Sequence, residues 1–389
     1  MQKFDIAIIG GGASGLMCAN CLSHSFSVAI VDANPLGKKL LATGNGRCNF
    51  TNVNISVDKY NTSMVKKYIE VFDNKNTINF FEKIGIPSFS DEEGRVYPLS
   101  ESAKDIQSAL IRNINAVHIP QNATKITRKN DFEINLSNGE KIWAKKVIMA
   151  CGNKGLRELL SGFNLPIERE ETMLCGFKVQ SFDKNLFGLR ENAVVRVKPL
   201  DFEERGQIQF RKDGISGIVI FNLSAKLDNR IKYPFEIVCE LLPDISEKQL
   251  TILLKDRCAR CENLYVKDCL LGILKLEMAK YILKASKVIN LERKLSQLTD
   301  KEIDEIVKNI KHLKLLCKEK YNDGQVLSGG IKLENLRDLE SKVKGLYFCG
   351  ETTNVYGVCG GYNLQWAWSS GYFLANKLNK DIEVKKAGL

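Results

Sequence analysis

The chain has 389 residues, 44% hydrophobic and 26% charged, values that exclude wholesale disorder and fit a folded chain of two or three domains. No apolar run approaches the ~20 residues of a membrane-spanning helix, so a cytoplasmic protein with no membrane partner is expected, and its twelve cysteines read as reduced thiols rather than disulfides. The net charge of +11 favours acidic partners such as RNA or another polyanion, although lysines on a merely solvated surface give the same sum.

Phe4 to Ile9 is an unbroken apolar run, the pattern of a parallel strand buried on both faces, and it lacks the longer apolar stretch and cleavage site of a signal peptide. Gly10-Gly11-Gly12-Ala13-Ser14-Gly15 then satisfies G-x-G-x-x-G and opens a helix of small residues through Leu22. Ser27 to Val31 forms a second strand ending at Asp32. In this pattern Gly10 makes the tight turn, Gly12 admits a pyrophosphate, Gly15 lets helix and strand pack, and the helix N-terminus faces the phosphates. Asp32 can accept hydrogen bonds from ribose hydroxyls and disfavours a 2′-phosphate. Dinucleotide binding follows, with FAD or NAD preferred over NADP.

Residues 37–52 are polar and glycine-rich, with many backbone donors plus Lys39 and Arg47, which suits a pyrophosphate or ring better than a bare surface loop. Asp131 to Leu136 and Glu140 to Trp143 flank Ser137-Asn138-Gly139 as a hairpin, and Lys146 to Ala150 returns to the nucleotide sheet. From Phe177 to Leu241 short strands are expected at Ala193 to Val197, Gln207 to Phe210, Ile218 to Phe221 and Phe235 to Leu241, as in a small barrel. From Ser246 to Tyr321 the pattern is helical, with Leu250, Leu253, Leu254, Ile303, Ile306 and Ile310 at three and four spacing and Asp300 as an N-cap. Residues 251–320 carry 16 Lys/Arg against 10 Asp/Glu, a surface where an RNA backbone could dock. Neutralising Lys280, Lys284, Lys287, Arg293 and Lys294 is the corresponding test. Cys258 and Cys261, with Cys269 and Cys317, lack a second C-x-x-C, and His24, His118 and His312 fit no ligand spacing, so no metal is expected. Near the C-terminus, Gly345 to Glu351 reads as a strand ending in Gly-Glu, and Gly360-Gly361 opens a last helix. Its N-terminus suits the electron-rich edge of a flavin, which favours FAD over NAD.

These motifs, together with GRVYPLSESA (Gly94 to Ala103), DGISG (Asp213 to Gly217) and LSGGI (Leu327 to Ile331), resemble those of the BaiN/RdsA-type family of bacterial NAD(P)/FAD-dependent oxidoreductases, over nearly the whole chain. That family includes a dehydro-bile-acid reductase, a ribosomal RNA dihydrouridine synthase and an aminoacetone oxidase. The resemblance implies an α/β fold: a Rossmann-like FAD-binding domain of the two-dinucleotide-fold flavoprotein type (1–171 and 332–389), an inserted β-barrel-like domain (172–245 and 322–331) and a helical domain (246–321). It places FAD contacts on Gly10, Gly12, Ala13, Ser14, Gly15, Asp32, Ala33, Lys39, Asn45, Gly46, Arg47, Cys48, Ala123, Cys151, Gly152, Gly350, Glu351, Gly361, Tyr362, Asn363 and Leu364. The family more often has Glu where Asp32 stands. Many of its members also have a double glycine and a longer loop where this chain has Cys151-Gly152-Asn153-Lys154-Gly155.

The expected reaction is reduction of a carbon–carbon double bond conjugated to a carbonyl by hydride transfer from flavin N5. NAD(P)H is expected as a transient donor, since no second glycine-rich strand–helix unit is present. Tyr97 and Arg95 are candidates to face the flavin, Tyr97 as a proton donor, and Cys48 as a redox-active thiol. Tyr97 and Arg95 could equally only pack a loop, and for Cys48 a packed small residue is the favoured reading. The alternatives are reduction of uridine in ribosomal RNA docked on the helical domain, and oxidation of an amine.

Overall fold

The computed structural model describes residues 2–180, 183–227 and 231–386, with side chains as far as Asp381. The chain divides into two units, Met1–Thr172 with Val326–Leu389, and Met173–Gln325.

In the first unit β1 (Gln2–Ile9) passes through the glycine turn into α1 (Ala13–Cys21) and returns as β2 (Val28–Val31). Ile6 to Ile9 and Val28 to Val31 are at most 5% exposed, as parallel strands between covering layers should be. A small antiparallel sheet of β3 (Thr51–Asn52), β4 (Ser88–Ser90) and β5 (Arg95–Pro98) follows, with α2 (Lys66–Ile69) and α3 (Asn74–Lys83) inside it in sequence. After α4 (Ala103–Arg112), β6 (Val117–Ile119) pairs parallel with β2. Then β7 (Ala123–Arg128), β8 (Phe132–Leu136) and β9 (Lys141–Met149) run as an antiparallel meander, and β9 also lies parallel to β1. The expected hairpin strand and the expected returning strand are therefore one strand of nine residues. α5 (Leu156–Leu159) and β10 (Ile167–Met173) complete this stretch.

In the second unit β11 (Phe177–Val179), β12 (Arg190–Val197), β13 (Phe202–Phe210), β14 (Gly214–Ser216), β15 (Phe235–Leu241) and β16 (Leu313–Lys320) close a barrel in the order β11-β14-β13-β12-β15-β16. Three expectations are corrected here. Ile218 to Phe221 is not a strand but the start of α6 (Ile218–Lys226). A short apolar run fits a buried helix as well as a strand, and Gly217, at φ +110°, turns the chain into the helix. The helical segment holds α7 (Glu247–Arg260), α8 (Leu276–Ala285) and α9 (Asp300–Lys311) but ends there, because β16 follows. Leu313, Leu315 and Cys317 are at most 3% exposed while Lys314, Leu316 and Lys318 face out, the two-residue period of a strand. The N-cap of α9 is Thr299 rather than Asp300: its hydroxyl accepts from Glu302 N–H, and the Glu302 carboxylate accepts from Thr299 N–H at 2.9 Å, a capping box. One apolar core runs from Phe177 and Val195 in the barrel through Leu250, Ile306 and Leu315. The barrel and the helices, expected as separate domains, thus share a core within one unit.

The chain re-enters the first unit at β17 (Val326–Ile331), which pairs with β10, so the boundary lies at residue 326 instead of 332. β18 (Leu346–Phe348) lies parallel to the second half of β9. The sheet then runs β6-β2-β1-β9-β8-β7, with β18 beside β9. The long α10 (Tyr362–Lys386) crosses α1 at Gly371, where a Cβ would stand 2.6 Å from the Ser14 carbonyl oxygen. No helix among the described residues is long and apolar enough to cross a membrane, and no group of three or more His, Cys, Asp or Glu among them could hold a metal ion.

Candidate functional site

The first glycine turn is shaped by close approach. A Cβ on Gly10 would stand 2.5 Å from both the Ala150 carbonyl oxygen and Cys151 Cα, and one on Gly15 would stand 2.2 Å from the Gly10 carbonyl oxygen. Gly12 differs, since nothing lies within 4 Å of its Cβ position. It is the N-cap of α1, where no side chain caps the helix and no acid occupies the first turn. The free donors of Ala13, Ser14 and Gly15 and the positive helix end are left for an anion. At the end of β2, Asp32 Oδ2 accepts from Gly11 N–H at 2.8 Å and Oδ1 from Asn34 N–H at 2.9 Å. This fixes the carboxylate beside the exposed Ala33 with lone pairs to spare. His118 Nε2 lies 2.9 Å from the Asp32 carbonyl oxygen.

The two ends of the chain meet at this turn. A Cβ on Gly350 would stand 2.5 Å from Ser14 Oγ, and Gly350 N–H donates to Ser370 Oγ at 2.9 Å. Gly152, at φ +76°, has Glu351 Oε2 and Lys39 Nζ 3.2 and 3.3 Å from its Cβ position, and those two side chains pair at 3.6 Å. Burial pushes the Glu351 carboxyl up, against the pull of the Lys39 ammonium. The neighbouring Cys151 thiol is pushed up by burial to about 11. At the start of α10, a Cβ on Gly361 would stand 2.4 Å from the Thr51 carbonyl oxygen. The Asn363 amide accepts from Gly357 N–H at 2.9 Å and donates to its carbonyl at 3.0 Å. Leu364 is half-buried. Tyr362 is 6% exposed and donates to the Asn54 carbonyl, so its ring belongs to the core. Ala123 opens β7 opposite Leu136.

Residues 38–46 form helical turns broken at Thr43–Asn45 rather than an open loop. Asn45 has φ +58°, and nothing lies within 4 Å of the Gly46 Cβ position. Arg47 pairs with Glu101 at 3.1 Å and stacks 4.6 Å over the Tyr97 ring. Cys48 is 0% exposed, and burial pushes its thiol to about 11. Of the two readings open for Cys48, this burial fits a packed small residue and not a reactive thiol. Tyr97, 3% exposed, stacks on Phe89, and burial raises its phenol. Arg95 is committed to Asp91 at 2.7 Å and Glu93 at 2.8 Å. The sequence reading passed over Gln365, whose fully buried amide joins Thr51 and Thr77 to the Phe72 carbonyl and Ser369. Its signal in the sequence was a polar side chain set between Leu364 and Trp366. In the second unit, Lys280 pairs with Glu277, Lys284 with Asp183 and Arg293 with Glu302, while Lys294 donates to the Glu262 carbonyl and Lys287 is exposed.

A parallel sheet, an acid-terminated second strand, an open helix N-terminus at Gly12 and a glycine-led last helix folded against it define a flavin-dependent oxidoreductase of the Rossmann type. The bare positions at Gly12 and Gly46 leave room for an extended dinucleotide along these segments, so a flavin dinucleotide fits the residues present. The chain belongs to the HI0933-like Rossmann-domain family, whose model matches residues 4–377. It is 29% identical, over 94% of its length and 97% of the relative, to a 3-dehydro-bile acid delta(4,6)-reductase of Clostridium scindens. It is 27% identical, over 97% of its length and 98% of the relative, to a ribosomal RNA dihydrouridine synthase of Escherichia coli. Among solved structures, an Escherichia coli quinol fumarate reductase chain superposes with a TM-score of 0.48 at 13% identity, over all of this chain and 74% of that one.

Proposed function

We propose that this protein is an FAD-dependent reductase of a carbon–carbon double bond conjugated to a carbonyl, with reduced nicotinamide dinucleotide as its electron donor. The bound flavin supplies the hydride in such a reaction. The chain's part is to hold and orient. Asp32 accepts hydrogen bonds from the adenosine ribose, and the backbone donors of Ala13 and Ser14 hold the pyrophosphate at the helix end. Lys39 balances the nearby negative charge, and Glu351 accepts from a ribityl hydroxyl. The N-terminus of α10 favours negative charge on the ring edge beside it. The observation that carries this reading is the Lys39–Glu351 pair around Gly152, with Gly350 set against Ser14, because it joins both ends of the chain at one elongated site. The relatives add support, one being named a delta(4,6)-reductase and the other a dihydrouridine synthase.

A small enone is proposed as substrate rather than RNA, and Arg293, the least exposed of the five cations Lys280, Lys284, Lys287, Arg293 and Lys294, is committed to Glu302. The test is anaerobic: the yellow protein is mixed with NADH or NADPH, then with an α,β-unsaturated ketone, and the flavin band is followed. Bleaching by the nicotinamide and return of the band with the ketone are expected. A protein that stays colourless after incubation with FAD, or bleaches only with amines, overturns the reading.

A further inference from the structure

Asn153 follows Gly152 in the turn after β9, and its side chain is not idle. Asn153 is 3% exposed. Its Nδ2 donates to the carbonyls of Leu327 and Ser328 in β17 at 3.1 and 3.2 Å. Its Oδ1 is buried with no hydrogen-bond partner among the described residues, and lies 2.4 Å from where a Cβ on Gly330 would stand. Gly330, at φ +87°, would also bring that Cβ within 2.3 Å of the Thr352 carbonyl oxygen, in the turn that carries Glu351. Glu351 in turn reaches back to Gly152. The contacts close a ring: Gly152, Asn153, β17, Thr352, Glu351 and Gly152 again.

We infer that Asn153 is a positioning residue that locks the Gly152 turn, the Gly329-Gly330 strand and the Glu351 turn into one rigid frame for the dinucleotide. A buried amide oxygen left unpaired is costly and rarely kept without a role. Here the amide keeps that cost because its nitrogen clamps two main-chain carbonyls that glycine could not hold. The inference rests on the proposed dinucleotide site, and its test separates the two.

The test compares wild type with Asn153→Ala, Asn153→Asp and Asn20→Ala. Asn153→Asp keeps the shape but loses the donor. Asn20 also donates to two main-chain carbonyls, at 2.8 and 3.0 Å, away from this ring. FAD affinity is read by fluorescence titration, and the fine structure of the flavin band and its midpoint potential are measured on the loaded proteins. Both Asn153 variants are expected to bind FAD at least tenfold more weakly and to shift the band and potential, whereas Asn20→Ala lowers the melting temperature alone. Should Asn153→Ala not fold, Asn153→Ser, which keeps a donor for one carbonyl, is expected to fall between it and wild type. Wild-type affinity, band and potential in the Asn153 variants overturn the inference while leaving the FAD site intact. A wild-type protein that takes up no FAD overturns the site itself.

Discussion

Gly12 and Gly15 stand three residues apart in one turn and do opposite things. A Cβ on Gly15 would sit 2.2 Å from the Gly10 carbonyl oxygen, whereas one on Gly12 would meet nothing. Gly12 also has φ −80°, which any residue adopts. Gly15→Ala therefore overpacks the turn and should destabilise the apoprotein by about 1–3 kcal/mol. Gly12→Ala should leave the apoprotein melting temperature nearly unchanged yet weaken FAD by roughly tenfold or more, because its methyl stands where the phosphate approaches. Melting without cofactor and an FAD titration separate the two, and wild-type affinity in Gly12→Ala would contradict the assigned pyrophosphate position. Such glycines were legible because their spacing is local. The burial of Tyr97 was not, because it depends on Arg47 and Phe89, which only the fold brings into place.

Among the elements, α9 and β16 show where local pattern stops being enough. The lysine-rich stretch after α9 continues the charge texture of the helix, so its strand period in Leu313, Leu315 and Cys317 is easily read as more helix. Pairing with β11 and β15 decides the matter. α6 was missed for the converse reason, since four apolar residues carry no period. The start of α9 is strongly specified. A hydrogen bond from Arg293, supported by Thr299, holds the Glu302 carboxyl down at about 2. A carboxyl depressed in the folded state contributes stability that is present above its unfolded value of about 4.3 and is lost as pH falls toward 2. With solvent screening allowed for, that is roughly 2 kcal/mol. Glu302→Gln keeps the capping box but loses the ion pair. It should lower the melting temperature of the second unit by several degrees at pH 7, and the difference should shrink steadily between pH 4.5 and 2. An equal deficit at pH 7 and pH 2.5 would assign the loss to packing instead of charge.

Across the whole molecule, the two units have separate apolar cores, one gathered around β1, β9 and α10 and the other running from the barrel into α7 and α9. Every residue assigned to the dinucleotide lies in the first unit, and the capping ion pair lies in the second. Ligand binding stabilises only what it binds, by about 2.7 kcal/mol at a hundredfold excess over Kd. In a unit of this size that is about 5–10 °C in melting temperature. Calorimetry should therefore resolve two transitions with independent levers. FAD should raise the first unit's transition by that amount and leave the other in place, and Glu302→Gln should lower the second unit's transition and leave the FAD-sensitive one in place. A single transition moved bodily by either lever would mean that the two cores unfold as one, and that cofactor loading is felt by the barrel and helices as well.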